Sequence, residues 1–271
     1  MFKIIFKSFL FLIFINFGCA TKESSDNQNT KISTTAHSLY IEAKNALDNS
    51  KFEDSKVIFQ KVIEIFPLTN EAIQSQIMLG FIDYLSLNYE NAISSFNKII
   101  QKYPSHKNID YVYYMRAVAY FEQIEKENLD GNNNFQAIKN FNEVINKFPD
   151  SEYTKDSRQK IIYVRENIAA KHMDIAYFYL DTEKYFAAMG RYQEVINNYS
   201  KSKFTAEALF RLVEIYYKLG MIEDAKKTAA VISYNYPKSK WYKYSYKLIN
   251  EEKSVNKSKI ISKLTNLIKK N

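Results

Sequence analysis

A phrase of sixteen residues recurs five times in this sequence, and no other feature restricts the possible folds as strongly. Each copy holds a small residue near its start, four copies have an aromatic residue four positions later, and four end in an aromatic–proline pair. The copies are Phe52–Pro67, Tyr89–Pro104, Asn134–Pro149, Tyr185–Ser200 and Ile222–Pro237. Residues four apart share one helix face, and proline disfavours the helical conformation of the residue before it. The phrase therefore predicts five similar helices, and such repetition is typical of solenoids that bind other proteins.

A second kind of segment, with the apolar periodicity of a helix, alternates with the phrases. These segments cover residues 36–48, 70–87, 109–126, 151–182, 203–219 and 239–249. The chain has only 5 Gly and 4 Pro, which favours long helices over turn-rich β folds. Successive prolines lie slightly further apart than the tetratricopeptide period of about 34 residues. We predict an all-α protein, a right-handed α-solenoid of about five tetratricopeptide-like helix pairs, with a surface loop at 126–133.

The amino-terminal residues have the layout of a secretory signal. Residues 1–18 contain two early lysines, a continuous apolar run and a small residue directly before Cys19, the single cysteine of the chain. This placement resembles the lipobox of bacterial lipoproteins and predicts that Cys19 is lipidated as the first residue of the mature chain. The alternatives are an ordinary signal peptide with an unrelated cysteine, or an uncleaved anchor. Residues 19–35 are polar and predict a flexible tether between lipid and domain.

The irregularities of the repeats predict that the repeat region consists of two parts with different roles. Repeats 1–3, residues 36–150, retain the full aromatic–proline ending, and we expect them to face a substrate. Repeats 4 and 5, residues 151–250, lose the proline in one copy and the inner aromatic in the other, and we expect them to dock on a partner. The basic, amphipathic tail 251–271 could cap the solenoid, dock on another subunit or meet anionic lipid.

The sequence contains no arrangement of residues that indicates an enzyme. Its three histidines, 37, 106 and 172, are far apart, and no metal-ligand spacing, glycine-rich phosphate loop or nucleophile motif occurs. We therefore predict no catalytic residue, no metal and no cofactor. The net charge of +8 falls mostly in the signal and the tail, so the repeat body carries no basic face typical of nucleic-acid binding.

The register of the repeats predicts which side chains line the inner surface. With Ala92 as the fixed small position, three residues of the preceding helix face inward, and the same offsets apply to the neighbouring repeats. The predicted groove residues are Tyr40, Lys44, Ile77, Phe81, Tyr84, Tyr111, Tyr114 and Phe121, with Val118 beside them. Aromatic rings offer large contact areas to an apolar peptide, so we expect a peptide-binding groove. The alternative is that the rings only pack between helices.

Two segments resemble the BamD family, the tetratricopeptide lipoproteins of the β-barrel assembly machinery in Gram-negative outer membranes. They are YPSHKNIDYVYYMRAVAYF (103–121) and FPDSEYTKDSRQKIIYVRENIA (148–169). The resemblance extends over about residues 36–242, and it agrees with the cysteine at position 19. It implies a protein that is lipid-anchored at the periplasmic face of the outer membrane.

The resemblance also implies partners. The first three repeats would receive the C-terminal targeting segments of unfolded outer-membrane barrel proteins. The last repeats would dock on the POTRA region of BamA, beside other barrel-assembly lipoproteins. The family's docking contact includes an arginine in the second helix of the fourth repeat, and Arg191 occupies the matching place; a packing role is the alternative for this residue. The alternative function is a periplasmic tetratricopeptide lipoprotein that coordinates cell-wall synthesis or division.

Overall fold

Consecutive helices pack in antiparallel pairs through the part of the chain that the structure describes. The computed structural model describes residues 35–124 and 131–250. The helices are α1 (Ala36–Asp48), α2 (Phe52–Ile65), α3 (Asn70–Leu85), α4 (Tyr89–Lys102), α5 (Ile109–Glu122), α6 (Gly131–Lys147), α7 (Tyr153–Asp181), α8 (Tyr185–Asn198), α9 (Thr205–Lys218) and α10 (Ile222–Asn235). Residues 240–250 form a further helix, α11, and the described ranges contain no strand. The prediction of an all-α helical repeat solenoid is confirmed.

The five phrases form the second helix of each pair, and their small residues allow close packing. The small residue and the aromatic four positions later are both fully buried in the second, third and fourth copies. In the first copy the small residue is Ser55, whose hydroxyl donates a hydrogen bond to the carbonyl of Ala43 across the pair (2.8 Å). Gly80 of α3 faces Phe96 so closely that an added Cβ would lie 2.9 Å from a ring carbon. The spacing that recurs in the phrases therefore sets the distance between paired helices.

The aromatic residue that closes four of the phrases ends its helix in nearly the same conformation whether or not proline follows. Phe66, Tyr103 and Tyr236 precede proline and have φ of −128°, −132° and −133°. Tyr199 precedes Ser200 and has φ of −128°. In each case the aromatic residue's backbone N–H still donates to the carbonyl four residues before it. Proline reinforces this ending, and the fourth repeat keeps the geometry without it.

Helix α7 is the longest helix within the described ranges and contributes to two cores. Its 29 residues extend about 43 Å at 1.5 Å per residue. Tyr153, at its start, packs against the core beneath α5. Ala169, Met173 and Ala176, further along, pack with buried residues of α8 and α9. The long helix expected over 151–182 is thus present, and it connects the third helix pair to the fourth. The division of roles at residue 150 stays a prediction.

One boundary predicted from the sequence is wrong, and it lies in the third helix pair. Residues 131–133 were assigned to a loop, yet α6 begins at Gly131. Asn133 donates a hydrogen bond to the carbonyl of Gln123 (3.1 Å), and Asn134 is buried, so this turn is held against α5. The rest of the predicted loop lies outside the described residues. The predicted signal 1–18, residues 19–34 of the predicted tether and the tail 251–271 also lie outside the described residues. No helix in ranges 35–124 and 131–250 has the length and apolarity to cross a membrane.

Candidate functional site

A continuous row of aromatic side chains crosses the first helices of pairs two to four. Helices α3, α5 and α7 contact one another in this order, because each pair stacks on the one before. We define the aromatic row as Phe81, Tyr84, Tyr111, Tyr114, Phe121, Tyr153 and Tyr163. Neighbouring ring centroids lie 6.2 Å (Phe81–Tyr84), 6.5 Å (Phe81–Tyr111), 5.6 Å (Tyr111–Tyr153), 4.8 Å (Tyr114–Tyr153) and 5.7 Å (Phe121–Tyr163) apart. The fully buried Phe141 joins the two halves, since it contacts both Tyr114 and Phe121.

Most rings of the row are half-buried, so each presents part of its surface. Phe81, Tyr84, Tyr111, Tyr114 and Phe121 were all expected in the groove, and the structure brings them together. Tyr163 is the most open, with 52% of its surface exposed. A half-buried ring is held in place by its neighbours and still offers a face to a ligand. The rings therefore pack between helices and still expose part of their surface, and the groove role stays a prediction.

Ile77 was wrongly assigned to the groove surface. It is fully buried and belongs to the core formed with Ala92, Phe96 and Val112. The repeat offset placed it on the inner side of α3, but the stacked α5 closes over this position. A ligand has no access to this side chain.

Tyr40 and Lys44 lie in the first pair, where Tyr40 packs against the same core as Phe81 of the aromatic row, although no ring contact joins the two. The Tyr40 ring packs on Phe59 with centroids 5.6 Å apart, and burial raises the pKa of its hydroxyl. Beside it is a cleft of about 360 Å³ that His37, Glu71 and Gln74 also line. Lys44 is exposed. The row thus begins at α3, one pair later than expected.

Four tyrosine hydroxyl groups of the row, those of Tyr84, Tyr111, Tyr114 and Tyr153, are neutral hydrogen-bonding groups at ordinary pH. Burial raises the pKa of Tyr84 and of Tyr153 to about 12, and it raises the pKa of Tyr111 and Tyr114 as well. Tyr114 donates its hydroxyl hydrogen to Asp156 (2.7 Å). The row therefore suits a ligand with apolar side chains and some exposed backbone groups.

Lys160 is a cation that lies against the row. Its Nζ is 4.7 Å from the centroid of Phe121 and 3.7 Å from a carboxylate oxygen of Asp156. Both charged residues belong to the first half of α7, whose inner face therefore adds polar groups to one edge of the row. Cation–π contacts of this kind stabilise partly exposed rings.

Sequence reasoning missed Tyr153 and Tyr163. The inward positions were counted back from each phrase, and the phrase at Tyr185–Ser200 sets the register only of the second half of α7. The first half packs against α5 and α6 and has no phrase of its own. The two tyrosines are ten residues apart, about 80° around the helix, so no same-face spacing marks them, and their aromatic character within the segment 151–182 was the only signal.

Arg191, the predicted docking residue, lies on α8 beside small side chains. Its neighbours Ala187 and Gly190 are exposed, and a Cβ on Gly190 would meet nothing within 4 Å. No carboxylate within the described ranges forms an ion pair with Arg191. His172 of α7 is near it; burial, with a smaller contribution from the charge of Arg191, lowers the pKa of this imidazole. The surface around Arg191 can thus be approached closely.

The described part of the chain holds no group of three or more His, Cys, Asp or Glu residues arranged to bind a metal ion. Its clefts combine half-buried aromatic rings with hydroxyl, amide and charged groups. These groups support binding of a polypeptide.

Residues 33–232 match the model of the YfiO family, which is described as an outer membrane lipoprotein family. Three curated relatives carry the name outer membrane protein assembly factor BamD. The one from Rickettsia prowazekii is 37% identical over 86% of this chain and 91% of its own length. The one from Caulobacter vibrioides is 35% identical over 79% and 70%. The one from Neisseria meningitidis serogroup A is 25% identical over 84% and 90%. Among solved structures, the TPR2AB domain of yeast Sti1 aligns with a TM-score of 0.49 and 14% identity, covering 82% of this chain and 84% of that chain.

Proposed function

The chain belongs to the YfiO family of outer membrane lipoproteins, together with relatives named BamD, and we propose that it serves outer membrane protein assembly as a receptor and scaffold. In this role it binds C-terminal targeting segments of unfolded barrel proteins and docks on BamA. The observation that carries the proposal is the aromatic row across three stacked helix pairs.

The aromatic row is the proposed receptor surface. A targeting segment with apolar and aromatic side chains lies across α3, α5 and α7, and its side chains contact the exposed faces of the rings. Aromatic rings give a large contact area at low conformational cost, because each ring is already fixed by its neighbours. The tyrosine hydroxyls and Lys160 supply hydrogen bonds and charge at the margins of this surface.

Arg191 is the proposed docking residue for BamA. An arginine with no ion pair in the described chain, surrounded by the small residues Ala187 and Gly190, allows a partner's backbone to come near and its carboxylate to bind in two hydrogen bonds. The POTRA region of BamA is the proposed partner. Other barrel-assembly lipoproteins complete the proposed complex.

Lipidation of Cys19 is the proposed means of attachment to the periplasmic face of the outer membrane. Cys19 lies outside the described residues, so the support comes from the sequence and the family. Acyl chains contribute about 0.8 kcal/mol for each buried CH₂ group, and several chains together give stable anchoring.

A peptide titration tests the receptor surface. Fluorescent peptides copying the C-terminal segment of a barrel protein from the same organism are titrated with the full-length protein in detergent. Tyr163→Ala removes the most exposed ring of the row, and Tyr234→Ala on α10, where 87% of the ring is exposed, is the matched control. We expect Tyr163→Ala to weaken binding about ten-fold, as for one interface anchor, and Tyr234→Ala to leave it unchanged. Equal effects of the two variants would contradict the receptor role of the row.

Capture from detergent-solubilised membranes separates this function from the cell-wall alternative. The proposal expects BamA and its lipoproteins to be recovered with the wild-type chain and to be lost with Arg191→Glu. Recovery of peptidoglycan-synthesis proteins without BamA would overturn it.

A further inference from the structure

One flank of the first half of α7 carries a regular series of exposed cationic and apolar residues. Lys155, Arg158, Ile162 and Arg165 follow one another at intervals of three, four and three, so they lie on one side of the helix. All four are exposed, and 53% of the Ile162 surface is open to solvent. The buried residues of this half, Thr154, Ser157 and Val164, are on another side. The flank is therefore a surface that the solenoid itself does not use.

The arginines of this chain are divided between two clearly different settings. The sequence has only five arginines among its 38 Lys and Arg residues. Arg116 of α5 pairs with Glu143 of α6 (2.7 Å), and Arg211 pairs with Glu214 within α9 (2.8 Å), so both arginines have a carboxylate partner inside the solenoid. The other three are on α7 and α8, and none has a carboxylate within ion-pair distance in the ranges 35–124 and 131–250.

This distribution matters because arginine and lysine bind partners differently. Lysine is the usual cation of this chain, and it suits a solvated surface. Arginine presents a rigid, planar fork that binds a carboxylate in two hydrogen bonds, and it is enriched at the centres of protein interfaces. Arg158, Arg165 and Arg191 are thus the three sites at which the chain keeps the more specific cation without an internal use for it.

The three arginines lie along one surface. His172, which is near Arg191, has its ring centroid 6.0 Å from that of Tyr199. Tyr199 in turn lines a cleft of about 360 Å³ together with Ile162, Arg165 and Lys201. Arg158 precedes Arg165 on α7 by two helical turns, a distance of about 10.5 Å along the helix axis. We call this surface the arginine ridge: Arg158, Ile162, Arg165, Arg191, Tyr199 and Lys201.

Two carboxylates beside the ridge, those of Glu166 and Glu194, already accept hydrogen bonds from neighbouring groups. Glu166 accepts hydrogen bonds from the Ser202 hydroxyl (2.9 Å) and from the backbone N–H of Lys203 (3.1 Å). Glu194 accepts a hydrogen bond from the side-chain amide of Asn198. These neutral donors leave both carboxylates charged, but the ridge has more cations than carboxylates (Arg158, Arg165, Arg191 and Lys201 against Glu166 and Glu194), so its net charge is positive around an apolar centre at Ile162 and Tyr199.

We propose that Arg158 and Arg165 extend the docking surface of Arg191, and that the ridge receives an acidic face of the same partner domain. Carboxylates of the partner bind the three guanidinium groups, and an apolar side chain enters the cleft beside Tyr199 and Ile162. Charge complementarity of this kind accelerates association and fixes the orientation of the two proteins. The inference rests on the proposed docking role of Arg191.

A titration of the full-length protein in detergent with the purified POTRA region of BamA from the same organism tests the ridge. Arg158→Glu and Arg165→Glu each reverse one charge at an exposed position. Lys98→Glu on α4 and Lys139→Glu on α6 are the matched controls, since both lysines are exposed and make no ion pair within the described ranges. We expect each arginine variant to raise the Kd about ten-fold or more and each control to stay within about two-fold of the wild type. Circular dichroism checks that all variants keep their helical content.

The outcomes separate the two proposals. If either Arg158→Glu or Arg165→Glu binds as tightly as the wild type while Arg191→Glu loses binding, the ridge is refuted and the docking role of Arg191 stands. If Arg191→Glu also binds normally, the docking role is refuted together with the ridge. Equal losses in the arginine variants and the lysine controls would show a general charge effect and would overturn the ridge.

Discussion

Two glycines in helix interiors allow one substitution to test how closely the helices pack. Gly80 lies within α3 and Gly190 within α8, and both are replaced by alanine. In an open helical position this change stabilises a protein by about 0.5–1 kcal/mol, because alanine restricts the unfolded chain and favours the helix. Nothing lies within 4 Å of a Cβ added at Gly190, so the full gain is expected there.

Gly80→Ala has the opposite expected sign. Its Cβ would lie 2.9, 3.2 and 3.3 Å from three carbons of the Phe96 ring. That ring is fully buried, so it moves only if the core of the second pair shifts. Overpacking of this kind costs about 1–3 kcal/mol, which outweighs the helical gain and leaves a net loss of about 0.5–2 kcal/mol.

Urea unfolding of both variants, followed by circular dichroism, measures these free energies. A third variant, Gly80→Ala combined with Phe96→Leu, checks the cause. Its loss of stability should be smaller than the sum of the two single losses, because the added methyl group fills space that the ring has left. If Gly80→Ala is stabilised as much as Gly190→Ala, the proposed close packing of α3 against the ring of Phe96 is refuted.

Three further predictions concern the anchor, an internal ion pair and the pH dependence of stability. Cys19→Ser should abolish metabolic labelling with palmitate and block signal processing; normal maturation of the variant would contradict lipidation. Arg116→Ala should destabilise the chain by about 1–3 kcal/mol in urea unfolding, because it leaves the half-buried Glu143 without its partner and also removes a hydrogen bond to the exposed Asn97, whereas Lys98→Ala should have almost no effect. Burial lowers the pKa of His172, so the unfolded chain binds more protons than the folded chain near and below the ordinary pKa of about 6.5, and stability should fall as the pH drops through this range. His172→Gln should reduce this dependence, and an unchanged pH profile would contradict the assignment.

The repeat architecture could be predicted from the sequence, because the phrase itself contains the residues that form the contacts within a helix pair. A small residue and a ring at i and i+4 identify the buried face, and the aromatic at the end identifies the last turn. The phrases at Phe52–Pro67 and Tyr89–Pro104 accordingly match α2 and α4 closely. Contacts within a pair are local, so the local pattern specifies them.

Contacts between pairs were harder to predict, since they depend on how neighbouring repeats stack. Ile77 has the spacing of an inward residue, and its burial is caused by α5 of the next repeat. Tyr163 belongs to the half of α7 that has no phrase to set its register. The start of α6 at Gly131 depends on a hydrogen bond to Gln123, ten residues from its donor Asn133. Each of these features is set by a partner from a different helix.

The proposed docking role of Arg158 and Arg165 could not be predicted from the sequence. Three arginines without an internal partner cannot be distinguished from two ion-paired ones until the carboxylates around each are located. Arg116 and Arg211 are the paired examples, and they too occur on apolar helices. The structure supplies the distinction because it shows where each cation finds a carboxylate.

Site-specific crosslinking tests the receptor function most directly. A photoreactive amino acid replaces Tyr163 in the aromatic row or, as the control, Tyr234 on α10, and the full-length protein is irradiated with a newly synthesised barrel protein. We expect an adduct at position 163 that disappears when the C-terminal segment of the barrel protein is deleted, and no adduct at position 234. An adduct that persists without this segment, or that forms equally at both positions, would contradict the receptor role of the aromatic row.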